Sequence, residues 1–154
     1  MLGKYRKCVG MMIINAERKI LVGKRLDHPS GYWQMPQGGI DENENPEEAV
    51  WREMKEEIGS DNAKIIKQSE KWLNYKIPSE TLSTLPWGNI YIGQTQKWFA
   101  FKFMGNDNEI NVGTKNPEFS EWKWSEHNLL VENIVPFKRD VYEEILKEFK
   151  ELFN

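Results

Sequence analysis

Between residues 38 and 59 the chain sets Gly38, Glu44, Arg52, Glu53, Glu56, Glu57 and Gly59 at spacings that concentrate charge. Glu53, Glu56 and Glu57 stand at i, i+3 and i+4, so on a helix they project from a shared face. Three carboxylates that close repel one another, and a hard dication supplies the missing charge. Mg²⁺ suits the task because it prefers oxygen ligands. Such a metal bridging phosphates would neutralise their charge and orient an attacking water. Arg52 precedes Glu56 by four residues and can pair with a carboxylate. A bare E-x-x-E-E face is ordinarily a solvated acidic surface. The two loop glycines Gly38 and Gly39, Glu44, Arg52 and the Gly59 stop, all in register, argue against that.

The segment must be a helix for this to work, and its ends are written in the sequence. Asn45 can cap, Pro46 suits the first helical position, and Glu47 and Glu48 sit near the positive end of the dipole. Gly59 takes a left-handed C′ conformation without strain. The helix is therefore expected from about Pro46 to Ile58. Val50, Met54 and Ile58, with Trp51 alongside, form an apolar stripe for the core.

Around it the chain reads as strands and one further helix. Cys8 to Ile14 and Ile20 to Lys24 are expected to form a hairpin across the polar turn 15–19. Trp33 to Met35 is short and extended, and 36–44 is a loop leading to the helix. A loop holding His28 spans Asp27 to Gly31. Glu70 to Ile77 alternates, with Leu73, Tyr75 and Ile77 on one side. A long connection from Pro78 to Asn89 follows. Trp98 to Met104 reads as a half-buried strand, with Phe99, Phe101 and Phe103 on one face and Lys102 on the other. After a polar loop from Gly105 to Lys115, Phe119 to Trp124 is a further strand and Pro136 to Phe153 a terminal helix. Strands mixed with a central and a C-terminal helix imply an α+β domain, a sheet sandwiched between helices.

Composition bounds what this domain does. The 154 residues are 39% hydrophobic and 12% aromatic, enough for one domain with a real core. No apolar run reaches membrane-spanning length, and the N-terminus lacks a signal-peptide layout. Cys8 is the only cysteine, which excludes a disulfide framework and a thiolate zinc site. The cytoplasm is the expected compartment. The net charge of −3 argues against a general nucleic-acid coat protein but not against an enzyme that holds one RNA end. Cations cluster at Lys4-Arg6-Lys7, Lys24-Arg25 and Lys138-Arg139, patterns that more often are plain solvated surface. No partner-binding motif for another protein is evident.

The glycines, glutamates and arginine fit the pattern G-x5-E-x7-R-E-U-x-E-E-x-G-U, with U a large aliphatic residue. The chain thereby resembles the Nudix hydrolases, with the box at 38–59 inside a single domain spanning 1–154. Ser60 departs from the pattern, standing where an aliphatic residue is usual. The flanks Trp33-Gln34-Met35-Pro36-Gln37-Gly38-Gly39-Ile40, Ile92-Gly93-Gln94-x-Gln96-Lys97-Trp98-Phe99 and Phe137-Lys138-Arg139-Asp140-Val141-Tyr142 are similar to the bacterial RNA pyrophosphohydrolases and dinucleoside polyphosphate hydrolases of that family. The resemblance implies a mixed sheet between helices (α/β/α) and Mg²⁺, with Mn²⁺ or another divalent cation as alternatives. It implies that Glu53, Glu56 and Glu57 hold the metal with Glu118 and a Gly38 carbonyl, that Arg52 orients the glutamates with help from Glu44, and that Glu57, or failing it Glu53, is the general base. It places Arg25, Lys138 and Arg6 near phosphates, and Val135 and Phe137 against an RNA base. The implied reaction converts 5′-triphosphate RNA to 5′-monophosphate RNA and so starts RNA decay. Rivals are hydrolysis of a dinucleoside polyphosphate and a catalytically silent nucleotide-binding module. Lysine at position 24, where the family more often has arginine, and Pro136 between the two base contacts bear on substrate preference.

Overall fold

The computed structural model describes residues 4–26, 31–115 and 117–153; His28 and most of the loop expected at 27–31 lie outside them. In chain order the elements are β1 (Tyr5–Ile14), β2 (Ile20–Arg25), β3 (Trp33–Gln34), β4 (Gln37–Gly39), α1 (Pro46–Ile58), β5 (Ala63–Gln68), β6 (Leu73–Lys76), α2 (Ser79–Leu82), β7 (Gly93–Phe103), β8 (Phe119–Ser125), α3 (Leu130–Asn133) and α4 (Arg139–Glu148). Short 3-10 turns stand at Asp107–Glu109, His127–Leu129, Pro136–Lys138 and Lys150–Phe153.

β1 and β7 form the spine of the sheet, parallel from Tyr5↔Gly93 to Ile14↔Lys102. β7 carries β6 and β5 on its far side, both antiparallel. β1 carries β4 antiparallel at Cys8–Gly10. The expected hairpin exists, but only Ile14↔Ile20 pair across it. The Asn15 side chain closes the turn by accepting from the amides of Glu17 and Lys19. Beyond it β2 departs to pair with β3 and β8. Position 36–44, expected to be all loop, contains β4, and that pairing docks the glycines against the spine.

Both faces of the spine are buried, which corrects the half-buried reading of the Trp98 to Met104 strand. On one face Phe99, Phe101 and Phe103 pack with Val9, Met11 and Ile13 beneath Val50, Met54 and Ile58 of α1. On the other, Trp98 and Ala100 pack with Met12, Ile20 and Met35 beneath Val141, Tyr142 and Ile145 of α4. A central strand covered by helices on two sides has no solvent face to alternate toward, and from Trp98 to Phe103 Lys102 alone is exposed. The result is a mixed sheet between α1 and the C-terminal helices, the α/β/α arrangement.

α1 has the ends expected of it. Asn45 accepts from the Glu48 amide at 2.8 Å and Glu48 returns a carboxylate to the Asn45 amide at 3.0 Å, a capping box. Gly59 closes the helix at φ 73°. Ser60, the departure from the pattern, is buried like the aliphatic residue it replaces, and its hydroxyl accepts from the Asn62 amide at 3.2 Å. The terminal helix is shorter than expected: 3-10 turns cap α4 at both ends, and α2 and α3 add single turns.

Candidate active site

Where α1, β4, the end of β2, β6, the α2–β7 connection and the turn at Pro136–Lys138 meet, they enclose a cleft of about 600 Å³. Each of these elements sends a polar or charged side chain into it. Gly38 and Gly39 come from β4, and Glu53 and Glu57 from α1. Arg25 and Glu118 come from the β2–β8 end, and Val135, Phe137 and Lys138 from the turn before α4. Arg6 of β1 and Glu80 of α2 complete the charged set.

Arg52 organises the acidic side from outside the cleft lining. Its Nε and Nη2 donate to both oxygens of Glu44 at 2.8 Å each. Nη1 donates to Glu53 at 2.9 Å and to Glu56 at 3.3 Å, and Nη2 donates to the Gly39 carbonyl at 2.9 Å. Only a guanidinium has enough donors in one plane for this. The hydrogen bonds from Arg52 hold the Glu44 carboxyl down at about 2, so Glu44 remains an anchor throughout the ordinary pH range. The glycines make room for charged side chains. A Cβ on Gly38 would stand 2.1 Å from the Glu53 carboxyl, and one on Gly39 would stand 2.3 Å from Arg6 Nη2.

Burial dominates the chemistry of the two cleft glutamates. Glu57 is 6% exposed and its Oε2 is a buried oxygen with no hydrogen-bond partner. Desolvation, then repulsion from Glu53 and Glu118, raises its pKa well above the ordinary carboxylate value, while Arg25 and the Gln37 amide act the other way. Burial also pushes Glu53 up to about 7, against the lowering effect of Arg52. An unpartnered buried oxygen facing two more carboxylates is a strongly unfavourable arrangement for the protein alone. A cation offered to Glu57, Glu53 and Glu118 would relieve it, and an all-oxygen donor set suits a hard divalent ion. Among the described residues no three acidic side chains already converge as a ligand set. Glu53 is drawn onto Arg52, and Glu56 is exposed, pairs with Arg52 and does not line the cleft.

A register shift between Lys24 and Arg25 turns the end of β2 where it meets β8. Such bulges re-aim side chains beside functional sites. Here Arg25 lies 3.6 Å from Glu118, a residue distant in sequence. Across the cleft, Lys138 is buried, and its Nζ donates to Gln34 Oε1 at 3.2 Å and lies 5.7 Å from the Tyr75 ring. Pro136 opens the 3-10 turn that presents Phe137 to the cleft, its ring 6.0 Å from that of Tyr75.

The sequence reading missed the floor of the cleft. Trp98 Nε1 donates to Gln96 Oε1, and Gln96 Nε2 donates to Gln37 Oε1. Gln37 Nε2 then donates to Gln94 Oε1, which the Tyr75 hydroxyl also contacts closely. This ladder fixes the orientation of each amide and gives the cleft a rigid polar base. Its only signal in the sequence was glutamines at alternate positions just before the apolar run Trp98 to Phe101. Cys8 lies beneath Arg6, and burial pushes its thiol up to about 11, so it is inert. His127 stacks on Phe153, with ring centroids 4.6 Å apart, and does not line the cleft.

Carboxylates gathered beside cations, on a mixed sheet between helices, make a cleft with the chemistry to take a phosphate chain together with a divalent ion. Residues 4–145 match the NUDIX domain, and the chain belongs to the Nudix family, whose hydrolases generally use divalent cations. A protein of Rhodospirillum rubrum described as an RNA pyrophosphohydrolase is 52% identical over 144 residues, which cover 94% of this chain and 86% of that protein. Among solved structures, the E. coli dihydroneopterin triphosphate pyrophosphohydrolase superposes with a TM-score of 0.70 at 20% identity, covering 94% of this chain and 98% of its own. An Ap4A hydrolase of C. elegans, solved as a binary complex, superposes with a TM-score of 0.64 at 16% identity, covering 94% and 98%. These two likenesses establish the fold. Among the described residues no helix is long and apolar enough to cross a membrane.

Proposed function

We propose that this Nudix hydrolase removes pyrophosphate, whole or as successive orthophosphates, from the 5′-triphosphate end of RNA. The product is a 5′-monophosphate end open to decay. The observation that carries the reading is the unpartnered Oε2 of Glu57, buried beside Glu53 and Glu118 and within one cleft of Arg25, Lys138 and Arg6. The carboxylates suit Mg²⁺, or Mn²⁺ in its place, and the cations suit the phosphates. The name carried by the Rhodospirillum relative supports RNA as the substrate.

In this reading a bound divalent ion supplies charge neutralisation at the phosphates. The protein does the rest by positioning. Arg25 and Lys138 hold the phosphate chain, and Arg6 reaches it from β1. Val135 and Phe137 pack on a base, since aromatic faces hold unpaired bases. Water oxygen attacks phosphorus, the anhydride P–O bond breaks, and the released phosphate leaves with the bonding electrons. Glu57 leads as acceptor of the water proton because its Oε2 has no protein partner, whereas Glu53 is engaged by Arg52. Glu53 stands second. Glu56 and the Gly38 carbonyl belong to the metal set, Glu56 after turning from Arg52. The chain acts as one domain in the cytoplasm.

Hydrolysis of a dinucleoside polyphosphate is the second reading, favoured by the likeness of fold to the Ap4A hydrolase. The same carboxylates would serve it. A silent module has no use for the buried acidic cluster. The deciding experiment offers purified protein with Mg²⁺ a 5′-triphosphate RNA and diadenosine tetraphosphate in parallel, with Glu53→Gln as control. Faster conversion of the RNA is expected. Faster cleavage of the dinucleotide would reverse the order of the two readings, and turnover of neither would end both.

A further inference from the structure

The α2–β7 connection forms one wall of the cleft and none of its residues has a role in the chemistry above. It is a built wall. Successive turns run Thr84 to Thr81, Leu85 to Leu82, Gly88 to Leu85 and Tyr91 to Trp87, and the Ile92 amide ties its end to the Lys4 carbonyl. Leu82 and Leu85 are rooted in the α4-side core. At Gly88 a Cβ would stand 1.8 Å from the Leu82 carbonyl oxygen, so only glycine permits the fold-back. The residue this scaffold presents is Trp87, half-buried and lining the cleft. Tyr91 meets its ring edge-on, centroids 5.9 Å apart. The Arg6 guanidinium lies 5.0 Å from the centre of the same ring.

Arg6 therefore joins two parts of the site. Its Nη2 abuts Gly39, next to the glycine that makes room for Glu53, and its guanidinium carbon lies over the Trp87 indole of the α2–β7 connection. Phosphate affinity and aromatic surface are placed side by side, as a nucleotide places its phosphate and its base within one ribose of each other. Val135 and Phe137 stand on a different element, the turn before α4.

We propose that Trp87, with Arg6, forms a second nucleobase-stacking wall, distinct from Phe137, and that it positions a further base of the substrate. The inference rests on the RNA reading of the cleft. Stacking on an aromatic face tolerates any base and is worth about 1–3 kcal/mol by alanine substitution, which is roughly 5- to 150-fold.

The test uses triphosphate RNAs carrying ordinary bases, or an abasic ribose at the first or second position. On ordinary RNA, Trp87→Ala should raise KM by roughly 5-fold or more with kcat little changed, and Trp87→Phe should restore most of the loss. On one of the two abasic RNAs, Trp87→Ala should behave like the wild type. Phe137→Ala should lose its effect on the other. Equal losses on every RNA would show that Trp87 only supports the wall, and unchanged KM on ordinary RNA would show that it holds no base; either overturns the proposal. So would both variants answering to the same abasic position. If the wild type turns over no RNA, the proposed function fails, and binding of the same RNAs by fluorescence anisotropy decides the stacking wall by the same pattern.

Discussion

Glu57→Gln separates what the fold needs from what the chemistry needs. The glutamate has a buried oxygen without a partner, and its raised pKa means that folding favours the protonated form. A group raised in this way stabilises the fold most below its unfolded value, here 4.5, and loses that contribution as pH climbs toward the folded value. Glutamine stays neutral, and its amide N–H can face Glu53 or Glu118. In chelator the variant should therefore melt at or above the wild type, by a margin that widens as pH rises above 4.5. Divalent ion should reverse the order. An ion at about 100 times its Kd stabilises the wild type by about 2.7 kcal/mol. At roughly 2–4 °C per kcal/mol for a domain of this size, the wild type should gain about 5–11 °C and the variant little. Turnover should fall about 10²–10⁴-fold with the loss of a proton acceptor. Scanning calorimetry with and without Mg²⁺, alongside single-turnover rates, reads all of these. A variant that keeps both the Mg²⁺ shift and near-normal turnover would refute the reasoning. So would one that melts well below the wild type in chelator, because the buried oxygen would then be a structural asset.

Other perturbations probe the parts around it. In chelator, raising Glu53 from 4.5 to about 7 costs about 3 kcal/mol of stability as pH rises through that window; Glu53→Gln should flatten that part of the melting profile, which circular dichroism can follow. Arg52→Lys keeps the charge but not the planar fork to Glu44 and Glu53, so kcat should fall about 10²-fold through misplacement of Glu53 while the protein stays folded. Gly38→Ala puts a methyl where the Glu53 carboxyl lies, and a similar kcat loss is expected with only a modest change in Tm. Lys138→Met matches the stem of a buried side chain and removes its charge, so KM for triphosphate RNA should rise roughly tenfold or more as a charge-assisted contact of about 1.5–3 kcal/mol is lost.

The sequence disclosed whatever is local. Asn45, Pro46 and Gly59 mark the ends of α1 because caps act within one turn, and the structure starts and stops the helix at those residues. The fixed spacing of Glu53 and Glu57 places both in the cleft, but spacing could not show that Glu56 turns outward to Arg52. What depends on the neighbours of a strand was less legible. β5, with the sequence AKIIKQ, gave no expectation, since it lies at the sheet edge and has no deeply buried face. The two-sided burial of β7 follows from α4 folding back over Trp98 and Ala100, a contact distant in sequence. The pairing of Arg25 with Glu118 depends on a register shift between strands that no spacing encodes. The glutamine ladder likewise exists only once β4, β6 and β7 come together.

The charge around the cleft explains why a site for phosphates can sit in a protein of net charge −3. Among the described residues lining it, Arg6, Arg25 and Lys138 face Glu53, Glu57, Glu80 and Glu118. Three cations against four acids give no basic funnel for a polyanion. Burial raises two of those acids, Glu53 to about 7 and Glu57 well above its ordinary value, so together they carry less than two negative charges near pH 7. Without metal the site lowers its own charge by keeping protons, and on the proposed reading a dication would take the place of those protons. Either state avoids an unrelieved cluster of buried negative charge, but only the second adds positive charge where phosphates arrive. Affinity for the phosphate chain would thereby be tied to the ion rather than to a permanent basic surface. On the proposed reading, this would let the chain remain acidic overall, with little general attraction for nucleic acid, while recognising the one end of an RNA that carries a concentrated phosphate charge.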